Sequence, residues 1–206
     1  MNVSERPCFI GDIYAVITEP SGEDCVVFVS GFGEEKKSSA RNIVDACRQL
    51  AEQGIGSVRF DLPCVGDSTG TFDKAGTETW LRSVQTAVKA AQDCGAKRVH
   101  LVGLRFGCLL VANSGVSADS CMFAAPVRSG KAYIREEKMR KQLRAAMTGN
   151  PRPSIEQMEK QLDEDGFLDL DGLHLTGELH SSICELSYDK AADLVSAKHL
   201  CVLRIG

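Results

Sequence analysis

The chain has 206 residues, 43% of them hydrophobic and 25% charged, with a formal net charge of −4. That is enough sequence for one sizeable core, in the composition of an ordinary soluble globular domain. The balance lacks the basic excess of a nucleic-acid binder, so no nucleic-acid partner is expected.

Met1 to Gly11 contains Glu5, Arg6 and Pro7 and no apolar run, unlike a signal peptide. The longest apolar runs, such as Cys25 to Val29, are too short to span a bilayer, so no transmembrane segment is expected. The nine cysteines are odd in number and include no C-x-x-C pair. Cys25, Cys121 and Cys201 sit inside apolar runs. These settings predict free thiols packed as small hydrophobes in a cytoplasmic protein, without a metal site or cofactor.

In chain order, Cys8 to Ile17 holds β-type residues for one strand or a hairpin. Cys25 to Ser30 is a continuous apolar strand. Ser39 to Glu52 places Ile43, Val44, Cys47, Leu50 and Ala51 on one helical face, stopped by Gly54. Ser57 to Leu62 is a strand. Thr77 to Cys94 is a helix with Trp80, Leu81, Val84, Val88 and Ala91 inward. Arg98 to Val102 is a strand, Arg105 to Asn113 a short apolar helix, and Ser120 to Ala125 a strand closed by Pro126. This alternation predicts a mostly parallel sheet covered on both faces.

After Pro126 the pattern changes. Lys131 to Met147 reads as a charged helix, broken by Asn150-Pro-Arg-Pro153. Ser154 and Gln157 form a capping-box pattern for a helix through Leu162. Leu168 to Leu175 alternates around Asp171-Gly172 as a hairpin. Ala197 to Ile205 is one more strand. The expected organisation is a single domain over 1–206 with a cap inserted at about 127–196.

The most informative segment is Val99-His-Leu-Val-Gly-Leu-Arg-Phe-Gly107, followed by an apolar helix. A strand entering G-x-(nucleophile)-x-G before a helix is the nucleophile elbow. Gly103 and Gly107 hold the glycine places, because larger side chains would clash in so tight a turn. Arg105 holds the nucleophile place, and a guanidinium cannot attack a carbonyl. Upstream, Ser30-Gly31-Phe32-Gly33 stands where hydrolases carry an H-G-x-G loop that supplies an oxyanion-hole N–H. Asp61-Leu-Pro-Cys-Val-Gly-Asp-Ser68 resembles a D-x-x-G-x-G-x-S loop after the next strand. All three, in this order at strand ends, predict an α/β-hydrolase-like fold.

Gly66-Asp-Ser-Thr-Gly70 also fits G-x-S-x-G, but no strand enters it and no apolar helix leaves it, so Ser68 is expected in turn chemistry. Cys108 is a further low-ranked nucleophile. His100, His174, His180 and His199 lie in or beside strands or in the cap, and none follows the last strand as a hydrolase histidine would. Gly31-Phe-Gly33 lacks the third glycine of a dinucleotide fingerprint, since Lys36 stands there. Asp163 to Gly172 has Phe167 where a calcium loop needs an oxygen ligand. The basic run from Lys131 to Arg144 is interleaved with Glu136 and Glu137 and reads as a solvated face.

The run Gly103-Leu-Arg-Phe-Gly107, with Phe60-Asp-Leu-Pro63 and Gly66-Asp-Ser68, resembles the exosortase A system-associated hydrolases. These are α/β-hydrolase relatives linked to PEP-CTERM sorting and exopolysaccharide systems. Ala125-Pro-Val127 with Gly130, Tyr133, Arg135 and Glu136 is similar to the opening of that family's cap. Asp171-Gly-Leu-His-Leu-Thr176 is similar to a later cap segment. The resemblance implies a hydrolase, whereas Arg105 implies a non-catalytic relative, and an active acyl hydrolase or acyltransferase with another nucleophile is the alternative. A cation at a helix N-terminus needs compensation. Two partners are open: a small anionic or acyl ligand bridging Arg105 to the N–H groups of Phe32 and Phe106, or an internal salt bridge to Asp61, Asp67 or Glu34. The sequence leaves the oligomeric state open.

Overall fold

The structure, a computed structural model, describes residues 4–170, 172–188 and 196–204. The chain enters through a hairpin, β1 (Glu5–Ile10) and β2 (Ile13–Thr18), which resolves the first β-type stretch into two antiparallel strands. β3 (Asp24–Val29) follows, then helix α1 (Gly33–Glu52), β4 (Gly56–Phe60), α2 (Thr77–Asp93), β5 (Arg98–Leu104), α3 (Phe106–Asn113) and β6 (Ser117–Ala124). After them come α4 (Gly130–Met147), α5 (Ile155–Asp165), the hairpin β7 (Phe167–Leu170) and β8 (Leu173–Thr176), α6 (Gly177–Cys184) and β9 (Ser196–Leu203).

One seven-stranded sheet runs in the order β1-β2-β4-β3-β5-β6-β9. β2 meets β4 antiparallel, and the pairs from β4 through β3, β5 and β6 to β9 are all parallel. The strands alternate because both faces must be packed. In β5, Val99 and Leu101 are buried, and Val27 and Cys121 are buried beside Leu101 in the neighbouring strands. α2 and α3 cover that face with Trp80, Val84, Val88, Leu109 and Leu110, and α1 packs across the other near β4.

Several boundaries differ from the sequence expectation. α1 begins at Gly33 rather than Ser39, with Phe32 as its N-cap residue and Glu34 and Glu35 in the first turn, where carboxylates suit the helix dipole. The apolar stripe that announces the helix starts only at Ile43, nearly three turns later. α6 was not expected, although Leu179 and Ile183 have helical spacing and the Thr176 hydroxyl caps the Leu179 N–H. The capping box at Ser154 and Gln157 is present, and α5 runs on past Leu162 to Asp165 before left-handed Gly166. Asp171, half of the expected turn signal, and Ile205 lie outside the described residues. All nine cysteines are free thiols. Among the described residues no helix is long and apolar enough to cross a membrane.

Candidate functional site at the elbow

β5 delivers the chain into a sharp turn. Arg105 adopts φ 49° and ψ −110° between the last strand residue, Leu104, and the first helical residue, Phe106. A non-glycine residue there is strained and persists only because the surroundings fix it. The flanking glycines show what does so. A Cβ on Gly107 would stand 2.0 Å from the Val29 carbonyl oxygen, and one on Gly103 would stand 2.7 Å from Cα of Cys108. The strand, the loop after β3 and the start of α3 are therefore in backbone contact.

The Arg105 guanidinium does not project into open space. Nε donates to Glu35 Oε1 at 2.6 Å, and the terminal nitrogen binds Glu136. Glu35 lies in the first turn of α1 with a side chain 5% exposed, against 33% for Arg105. Its second oxygen faces the Phe106 N–H at 3.5 Å. Burial opposes the charge on Arg105, but hydrogen bonds and fields from Glu35 and Glu136 outweigh it and hold its pKa above the ordinary value. Arg140 extends the network, 3.9 Å from Glu35 and 2.5 Å from Glu137. Burial pushes the Glu137 carboxyl up to about 7, against the lowering effect of Arg140.

Aromatic rings fill the space beside this network. Phe106 stacks on Tyr133 of α4 at 4.6 Å, and Phe32 packs edge-on to both, 5.5 Å from Phe106 and 5.6 Å from Tyr133. Trp80 closes the group 5.1 Å from Phe32 and donates its indole N–H to the Pro63 carbonyl. All four rings are buried. Tyr133 is held there by the start of α4, where a Cβ on Gly130 would lie 1.7 Å from the Ile183 carbonyl oxygen of α6.

A parallel sheet, a strained elbow ending its central strand and a glycine loop packed against that elbow are now together. The fold is that of the α/β-hydrolases. Solved structures agree. Est1E of Butyrivibrio proteoclasticus, determined with ferulic acid bound, superposes with a TM-score of 0.64 at 17% identity over 94% of this chain and 85% of its own. A protein of Agrobacterium vitis S4 assigned as a hydrolase gives 0.63 at 13% identity, over 100% of this chain and 92% of its own. Mouse alpha/beta hydrolase domain-containing protein 10 gives 0.59 at 13% identity, over 98% and 89%. No protein-family model matches the sequence, and no curated protein matches it.

Within the α/β-hydrolase frame the remaining sequence candidates separate. The internal partners expected for Arg105 were Asp61, Asp67 or Glu34, and this is corrected: the partners are Glu35 and Glu136. Asp61 is engaged elsewhere, 2.9 Å from Lys36 and accepting the Asp67 N–H at 2.9 Å. Glu34, on the outer side of α1, pairs with Arg144. The helix start at Gly33 decides this, because it turns Glu35 inward and Glu34 outward. Ser68 is buried, donates to the Asp61 carbonyl at 2.7 Å and accepts the Tyr14 N–H at 2.8 Å, which is turn chemistry. Cys108 is buried with its thiol on the Gly103 carbonyl at 3.1 Å, and burial pushes its pKa up to about 12. That thiol is protonated and inaccessible, unlike a reactive cysteine. Ser30, Gly31 and Gly33 carry the loop beside the elbow. A Cβ on Gly31 would meet Glu35 Oε2 and Phe106 Cβ, each at 3.1 Å. Among the described residues, no group of three His, Cys, Asp or Glu side chains is placed to hold a metal ion.

Proposed function

We propose that this chain is an α/β-hydrolase-fold protein whose elbow is a structural ion-pair latch and not a serine-hydrolase centre. The observation that carries the proposal is Glu35: a carboxylate of the chain itself binds Arg105 and lies against the Phe106 N–H, where a hydrolase would stabilise an oxyanion. The latch ties α1, the elbow and α4 together through residues far apart in sequence. Helix α4 then acts as a fixed cover over the elbow, with Tyr133 stacked on Phe106 beside it. The motif residues quoted above support descent from exosortase-associated hydrolases, with the enzymatic function given up at Arg105.

The rival reading, an external carboxylate or phosphate on Arg105, Phe32 and Phe106, would have to displace Glu35. The depression of about 380 Å³ beside Arg105 is lined by Glu34, Glu35, Ser38, Ser39, Asn42, Leu104 and Arg140, so any anion entering there meets two carboxylates. Calorimetric titration with acetate and acetyl phosphate separates the readings. The latch predicts no binding to the wild type and a lowered melting temperature for Arg105→Ala. Wild-type binding that Arg105→Ala weakens by about 1.5–3 kcal/mol, the scale of charge-assisted hydrogen bonds, would establish an anion site instead.

A further inference from the structure

Away from the elbow, three strands place a second set of chemical groups in one row. His100 of β5 pairs in register with Ser120 of β6, and Ser120 with His199 of β9, so all three side chains share one sheet face. His100 Nδ1 lies 2.8 Å from Ser120 Oγ, and its Nε2 lies 2.9 Å from Asp24 Oδ1 of β3. Asp24 is gripped by Arg98 through Nε and a terminal nitrogen, both at 2.7 Å, which holds it ionised. An ionised carboxylate only accepts hydrogen bonds. The proton of neutral His100 is therefore on Nε2, and Nδ1 carries the lone pair that receives the Ser120 hydroxyl. This is the relay of a nucleophile, a base and an orienting acid, recognised by roles rather than by sequence position.

The row opens into a groove of about 510 Å³, walled by Leu50 and Ala46 of α1 and floored by Val26, Phe28, Val102 and Met122. The groove is mostly apolar, with His100, Ser120 and His199 among its polar contributors.

We propose that Ser120, His100 and Asp24 form an acyl-accepting serine site for carboxylic esters with apolar acyl groups. Ser120 Oγ attacks the ester carbonyl carbon as its proton passes to His100 Nδ1. His199, across the register from Ser120, offers a ring N–H to the developing oxyanion. The carbon–alkoxide bond breaks, and the alkoxide leaves with the proton from Nδ1. Water, deprotonated by the same nitrogen, then attacks acyl-Ser120, releasing the carboxylic acid and restoring the hydroxyl. Asp24 acts through His100 as a positioning residue. This site is independent of the elbow latch, and either can fail without the other.

The test uses the full chain with p-nitrophenyl butyrate and a fluorophosphonate probe, with the labelled residue mapped by peptide mass spectrometry. The expected label is on Ser120. Ser120→Ala should abolish both labelling and p-nitrophenol release, and His100→Gln should slow release about 10²–10⁴-fold, the range for losing a general base. Asp24→Asn should lower kcat with KM unchanged, and exposed Ser117→Ala should change nothing. Melting curves of each variant show that it is folded, and Ser120→Cys, which keeps a nucleophile, should still take the acyl group. Absence of label, label mapped to Ser68 or another residue, or release that survives Ser120→Ala would overturn the proposal.

Discussion

Glu137 shows how a single residue carries the consequence of the latch. Around the elbow, Arg105 and Arg140 face Glu35, Glu136 and Glu137, and in this surplus of acid Glu137, largely screened from solvent by its neighbours, is the one whose pKa rises to about 7 from 4.5. An acid with a raised native pKa binds a proton in the folded state that the unfolded chain has lost. Its stabilising effect is complete below the unfolded pKa and is lost as pH climbs through the native one. Stability should therefore fall from about pH 5 to about pH 8 by roughly 1–3 kcal/mol on account of this residue. Glu137→Gln, neutral at every pH, should remove that slope in urea unfolding. A wild-type slope retained by the variant would assign it elsewhere.

At the scale of elements, the elbow depends on backbone surfaces that admit no Cβ. Gly107→Ala would drive a methyl into the Val29 carbonyl, 2.0 Å away, with no flexible side chain to yield. The expected loss is about 3 kcal/mol or more. Gly115 has φ +68° but nothing within 4 Å, so Gly115→Ala should lose only the backbone cost of about 1–2 kcal/mol. Urea midpoints of the two variants compare them directly, and equal losses would contradict the close approach of β3 to α3. These elements are also where the sequence is most legible. The β-α alternation up to Ala124, the glycine pair at 103 and 107 and the capping box at Ser154 each follow from local chemistry. The start of α1 does not, because residues 33 to 38 lie before the apolar stripe and are helical by tertiary packing.

Over the whole molecule, the latch joins residues 35, 105 and 136, and that is why sequence reading named the wrong acids. Whether Glu34 or Glu35 turns inward depends on the phase of α1, and Glu136 reaches Arg105 only because α4 lies over the elbow. The Ser120–His100–Asp24 row escaped notice for the same reason. The register of three parallel strands creates it, and no motif spacing announces it. What the sequence could fix was the residue that matters most, an arginine in the nucleophile place. The most direct test of the account is a double-mutant cycle on Glu35→Gln and Arg105→Gln by urea unfolding. Arg105→Gln should cost about 3 kcal/mol, since it strands buried Glu35, Glu35→Gln should cost less because Arg105 keeps Glu136, and the double mutant should lose little more than Arg105→Gln alone. The account predicts a coupling energy above about 1.5 kcal/mol between α1 and the elbow. Strictly additive losses, with coupling near zero, would contradict it.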